Sequence, residues 1–258
     1  MFAAIDVGNT AVKLALFDGE KVLHRWRFAT DVALQPVDYW TRFRSVLIAQ
    51  DIRPSSVTEA AIVSVVPDVT LIIDEACREF FRCAPFTFAP GAAVPVETRY
   101  DPALGADRLM NVVAAVRFHG PGPLVVVDLG TAVKFEAVDG DGVHLGGAIS
   151  PGIAIATDEL FSRAALVART SPHVPDAAVG RSTQKAVDAG VFLGYAGMVN
   201  AMVARFRGEL DSNARVIATG GWAAPLAGEC RFDEIDPDLT VKGLRVVYEL
   251  NADATGRR

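Results

Sequence analysis

The sequence is short of residues that would reveal its chemistry at a glance. It has three cysteines, Cys77, Cys83 and Cys230, with no CxxC spacing and an odd count. That usage points to reduced thiols in a cytoplasmic protein rather than to a disulfide framework. Four scattered histidines, His24, His119, His144 and His173, show no zinc-ligand spacing. Any metal is therefore expected to be a hard cation held by carboxylate and phosphate oxygens. No Lys/Arg block offsets the net charge of −6, so neither nucleic acid nor an anionic membrane is expected as a partner. The start lacks a basic segment followed by an apolar one, and no apolar run of membrane-spanning length is evident, so a cytoplasmic location is expected. The commoner nucleotide-binding loops are missing as well. In "PDAAVGRST" Pro175 stands where the first glycine of Gly-x-x-x-x-Gly-Lys-Ser/Thr belongs, and no Gly-x-Gly-x-x-Gly opens a helix after a strand.

What is present is a repeat. "IDVGNTAVK" at Ile5–Lys13 returns as "VDLGTAVK" at Val127–Lys134, each copy preceded by an apolar run and followed by an apolar stretch, an Asp-Gly turn and another apolar stretch. The match has one gap, at Asn9, and its period is far too long for a solenoid. A duplicated domain is the reading. With 258 residues the chain has room for two cores. The Gly-Pro-Gly-Pro stretch at Gly120–Pro123 is the best linker, which divides the chain into residues 1–119 and 120–258.

Each half begins with three strand-like segments. They are "FAAID", "TAVKLALF" and "KVLHRWRFA", then "PLVVVD", "TAVKFEAV" and "VHLGGAI", with hairpin turns at Asp18-Gly19 and Asp139-Gly140. Helix and strand then alternate. "PVDYWTRFRSVLIAQ" is expected to turn Val37, Trp40, Phe43 and Leu47 inward. A helix is expected from Ala154 to Ala168, a long one from Ser182 to Phe206 and a final one from Asp238 to Leu250, followed by a frayed polar tail "NADATGRR". The fold class is mixed α/β, with two similar lobes and ligands expected at the carboxyl ends of strands and in the cleft between the lobes.

Asp6 and Asp128 each end an apolar strand two residues before a glycine, Gly8 or Gly130. Such turns let backbone N–H groups approach a phosphate; Thr10 and Thr131 add hydroxyls, and Lys13 adds a cation. A carboxylate beside a phosphate cradle implies Mg²⁺ or a similar ion between them. The glycines of "GGAISPG" and "ATGG" could serve the same cradle or simply connect helices to strands. In "YDPALGADRLMN" the Asp107-Arg108 pair opens a helix. Arg108 suits a carboxylate or phosphate, and Asp107 suits acceptance of a proton from an attacking hydroxyl; the alternative is an acidic residue stabilising its own helix.

In this order, "DVGNT", "GADR", "DLGTA" and "GGAISPG" resemble the motifs of the type III pantothenate kinases, and "GRSTQKAVDAG", "ATGG" and "LTVKGL" look like that family's later segments. The resemblance implies the actin/hexokinase-like fold of two ribonuclease-H-like domains, a homodimer, and ATP-dependent phosphorylation of pantothenate, the first step of coenzyme A synthesis. Residue by residue, it implies that Asp6, Val7, Gly8, Asn9, Thr10, Ala11, Val12 and Lys13 line the ATP phosphates with Thr131. Tyr100, Gly105, Ala106, Asp107 and Arg108 would hold pantothenate, with Asp107 as general base. Thr183 would reach pantothenate near the dimer interface. Mg²⁺ accompanies ATP, Asp6 and Asp128 are the metal positions, and Asp128 would bind a monovalent cation, K⁺ or NH₄⁺.

One departure stands out: Lys134 and Glu136 replace the threonine and aspartate usual in the family. Lys134 is expected to stand in for the monovalent cation. The alternatives are an exposed lysine on an edge strand, or the mark of a catalytically weakened member acting as a regulatory accessory protein. A related phosphotransferase or phosphatase of the same superfamily is the remaining reading.

Overall fold

The computed structural model describes residues 1–100, 104–164 and 172–254. Residues 101–103 of "YDPALGADR", the end of the helix expected to run to Ala168, and the last four residues of the tail lie outside them. In chain order the elements are β1 (Phe2–Val7), β2 (Ala11–Asp18), β3 (Lys21–Ala29), α1 (Pro36–Ile48), β4 (Glu59–Ser64), α2 (Pro67–Ala76), β5 (Phe86–Thr87) and α3 (Ala106–His119). There follow β6 (Leu124–Leu129), β7 (Ala132–Val138), β8 (His144–Pro151), α4 (Ile153–Arg163), α5 (Thr183–Glu209), β9 (Arg215–Thr219), α6 (Ala223–Leu226), β10 (Glu234–Ile235) and α7 (Leu239–Ala254).

The strands make two sheets of the same plan. One runs β3-β2-β1-β4-β5 and the other β8-β7-β6-β9-β10. In each, the first strand lies between the returning arm of its hairpin, antiparallel, and the fourth strand, parallel. The duplication read from two short peptides is thus a duplication of whole-sheet topology. β1 is flanked on both sides and buried along its length, which suits its unbroken apolar run. β3 is an edge strand whose exposed Lys21, Arg25 and Arg27 alternate with partly buried residues, a pattern that discourages further pairing.

The chain divides into two compact units. Met1–Pro95, Asp101–Ala114 and Asp238–Arg258 form the first; Val96–Tyr100 and Ala115–Pro237 form the second. In the first, Ile5, Val7, Leu14 and Leu16 meet Tyr39, Phe43 and Leu47 of α1 and Ile73 of α2. The inward face of α1 is set by Tyr39, Phe43 and Leu47, while Val37, expected inside, is exposed. The Tyr39 hydroxyl accepts from Asp31 N (3.0 Å) and lies 3.1 Å from the Asp31 carbonyl, to which it donates. This pairing ties the inward face of the helix to the preceding loop.

The opposite face of the same sheet is covered by α7, where Phe2 packs on Tyr248 at 4.8 Å between ring centroids. Gly243 of α7 lies so close to α3 that a Cβ there would overlap the Met110 carbonyl, and Thr240 donates to Asn111 at 2.8 Å. Asn251 and Ala93 exchange hydrogen bonds of 3.1 and 2.9 Å, so the expected fray begins later than Asn251: helix continues to Ala254.

In the second unit Val127, Leu129, Val133 and Phe135 pack on Phe192, Ala196, Val199 and Val203 of α5. Contrary to the expectation that no segment reaches membrane-spanning length, α5 is long and apolar enough to do so by composition. Its apolar length is accounted for in part by this packing. All three cysteines are free thiols.

Candidate functional site

The first of the two repeated turns is held from three directions. Gly8 N donates to Ala11 O (3.0 Å), the Thr30 hydroxyl donates to the Gly8 carbonyl (2.6 Å), and Thr30 N donates to Thr10 O (3.3 Å). Asn9 and Thr10 are left exposed at its tip. Asp6 and Lys13 are register partners across β1 and β2, and Lys13 Nζ sits 2.9 Å from Asp6 Oδ2. The carboxylate is 7% exposed and the lysine side chain 44%.

The second turn repeats the device. Gly130 N donates to Ala132 O (3.2 Å), and Asp128 pairs across β6 and β7 with Lys134, whose Nζ lies 3.2 Å from Asp128 Oδ2. Here both partners are withdrawn, with side chains 15% and 16% exposed. β7 lies between β6 and β8, so Lys134 is not an exposed lysine on an edge strand. The glycines that could have served either phosphate or connection have a definite part. A Cβ on Gly152 would overlap the Thr131 carbonyl, and one on Gly220 would overlap the Leu129 backbone. Gly152 N and Trp222 N donate to those carbonyls at 3.1 Å each. The starts of α4 and α6 therefore press directly on residues 129–131 and fix the turn.

Asp107 and Arg108 stand at the first turn of α3, as expected. Asp107 Oδ1 accepts from Arg108 N at 2.9 Å, and Arg108 is buried. Gly105 and Ala106 immediately precede them, half-buried. Thr183 is exposed at the first position of α5, after the N-cap Ser182, whose hydroxyl accepts from Lys185 N. Tyr100 belongs to a short strap, residues 97–100, laid along His144 at the start of β8: Arg99 N donates to His144 O (2.8 Å) and His144 N to Glu97 O (2.9 Å).

Among the described residues no three His, Cys, Asp or Glu side chains gather as a metal cluster. Asp6 suits a magnesium ion that arrives on a nucleotide, because such an ion needs only one or two protein carboxylates and keeps water and phosphate oxygens as its other ligands. Asp128 does not suit a potassium ion. Its carboxylate is engaged by a withdrawn ammonium at 3.2 Å, and a second cation there would be repelled by the first.

Sequence reasoning missed three residues that the structure brings together: His144, Glu136 and Thr98. His144 Nε2 is 2.9 Å from Glu136 Oε2 and His144 Nδ1 is 2.8 Å from Thr98 Oγ1. Glu136 was visible only as a departure, and His144 only as an isolated histidine.

The family model described as type III pantothenate kinase matches residues 2–205. A type III pantothenate kinase from Pelobacter propionicus is 38% identical over 254 residues, covering 97% of this chain and all of that one. One from Geobacillus sp. is 36% identical over 256 residues, covering 98% and 99%. Among solved structures, a Campylobacter jejuni protein assigned to the Baf transcriptional activators superposes with a TM-score of 0.60 at 19% identity, covering 97% of this chain and 99% of that one. A Sinorhizobium meliloti protein assigned as a 2-dehydro-3-deoxygalactonokinase gives 0.55 at 13%, covering 97% and 96%. The last two share the fold.

Proposed function

The chain belongs to the type III pantothenate kinase family and is a phosphotransferase acting on pantothenate; from that premise we propose how its residues divide the work. ATP is the phosphoryl donor and the product is 4'-phosphopantothenate, which places the reaction at the head of coenzyme A synthesis in the cytoplasm. The turn from Asp6 to Lys13 and the hydroxyl of Thr131 serve the phosphates. Asp6 would hold Mg²⁺, which neutralises phosphate charge. Lys13, half-exposed beside Asp6, offers its ammonium to the phosphates from the same face.

Asp107 takes the proton from the primary hydroxyl of pantothenate; that oxygen then forms its bond to the γ-phosphorus as the bond to ADP breaks. Arg108 positions the anionic end of the substrate from within the buried first turn of α3, and Gly105, Ala106 and Tyr100 are the other residues assigned to pantothenate. Thr183 contributes from the start of α5, in a homodimer. Little covalent work falls to the protein; positioning and charge neutralisation supply most of the rate.

The observation that carries this reading is the repeated Asp–Lys hairpin, present together with Asp107, Arg108 and Thr131 in a chain 35–38% identical to named kinases over nearly its full length. The test is pantothenate-dependent release of ADP by the purified protein with ATP and Mg²⁺. Turnover establishes the reaction. Its absence from a folded protein moves the assignment to a regulatory relative or to another phosphoryl acceptor.

A further inference from the structure

The group formed by the buried Glu136 and His144 with the exposed Thr98 lies outside the machinery described so far. Tyr100 N donates to Thr98 Oγ1 at 3.1 Å, so the threonine hydrogen is available to His144 Nδ1 at 2.8 Å. On the other side of the ring His144 Nε2 lies 2.9 Å from Glu136 Oε2. Both ring nitrogens of His144 thus have a side-chain partner, and both His144 and Glu136 are buried. The Tyr100 ring stacks on the imidazole, with centroids 5.9 Å apart and planes 27° from parallel. Backbone hydrogen bonds on both sides of His144 pin the strap as well. Tyr100 thus has its main chain tied to Thr98 and its ring laid on a histidine that a carboxylate holds still.

We propose that His144, oriented by Glu136 and read out through Thr98, is a positioning residue that sets Tyr100 for binding pantothenate. The inference rests on the reading that Tyr100 contacts this substrate. It also gives a purpose to Glu136: at this position the side chain serves the histidine, not the phosphate turn.

Thr98 is exposed, so its substitution tests the link without opening the core. Thr98→Val removes the hydroxyl and keeps the shape. It is expected to raise KM for pantothenate about fivefold or more, the effect of losing one well-placed hydrogen bond that also leaves a buried partner unsatisfied. KM for ATP and kcat should change less than about twofold, and Thr98→Ser should restore the original KM. His144→Phe, which keeps a ring under Tyr100 but breaks both side-chain bonds, should show the same split if it folds. Tyr100→Ala supplies the control. If Tyr100→Ala raises KM for pantothenate and Thr98→Val does not, the positioning role is overturned. If Tyr100→Ala itself leaves that KM unchanged, the reading of Tyr100 fails and the proposal falls with it.

Discussion

Replacing Lys134 by threonine is expected to create a potassium dependence that the unaltered protein lacks. At 3.2 Å, and with an effective dielectric of about 20 for a pair this withdrawn, the Asp128–Lys134 attraction is about 5 kcal/mol before desolvation is subtracted. A potassium ion placed on the same carboxylate would lie about 4 Å from the ammonium, and the repulsion of about 4 kcal/mol would weaken its binding about a thousandfold. The steady-state rate of the unaltered enzyme should therefore differ by less than about twofold between K⁺ and a bulky organic cation at about 0.1 M. Lys134→Thr removes the resident charge and leaves Asp128 short of a cation. In the organic cation it should lose activity and about 1–3 kcal/mol of stability, less than for a fully buried pair because some solvent reaches this one. Potassium should restore much of both, so the melting temperature of the variant should rise with K⁺ while that of the parent stays put. Several-fold activation of the parent by K⁺ would refute the reasoning, since it would require the ammonium to leave Asp128 when substrates bind.

Other expectations follow from single contacts. Asp107→Asn should lower kcat by about 10²–10⁴ with little change in pantothenate KM, the usual weight of a general base, as read by ADP release. Gly243→Ala would thrust a methyl group into the Met110 carbonyl; a loss of about 3 kcal/mol in urea unfolding is expected, and a neutral result would mean that α3 and α7 can separate cheaply. Burial, with Glu229 adding to it, pushes the Cys230 thiol up to about 11. The folded protein therefore holds this proton more tightly than the unfolded chain. The associated stability is complete below about pH 8.5 and is lost as pH rises toward 11. Unfolding midpoints across that window should fall less steeply in Cys230→Ala than in the parent.

Much of the fold was open to reading because its signals are local. The Asp18-Gly19 and Asp139-Gly140 turns mark the β2–β3 and β7–β8 hairpins, and the six strands that open the two halves begin and end within two residues of expectation. The turn pairs Asp6–Lys13 and Asp128–Lys134 follow from register alone, since residues opposite each other on antiparallel strands share a face. What stayed hidden depends on partners distant in sequence. The inward face of α1 is decided by Tyr39 reaching Asp31, which periodicity cannot register. The placement of α7 in the first unit rests on the close approach of Gly243 to Met110. Thr98, Glu136 and His144 come from a loop and two strands, carry no shared motif, and become a unit only once the strap is laid on β8.

The placement of α7 also dictates an order of assembly on the ribosome. The second unit is a nearly continuous stretch, complete once Pro237 has emerged. The first unit begins with Met1 but lacks the cover of Phe2 until Tyr248 and its neighbours are made. The usual vectorial sequence, in which the earlier-synthesised body matures first, is reversed here. The half made earlier must wait, one apolar face bare, for α7 to come back and close it.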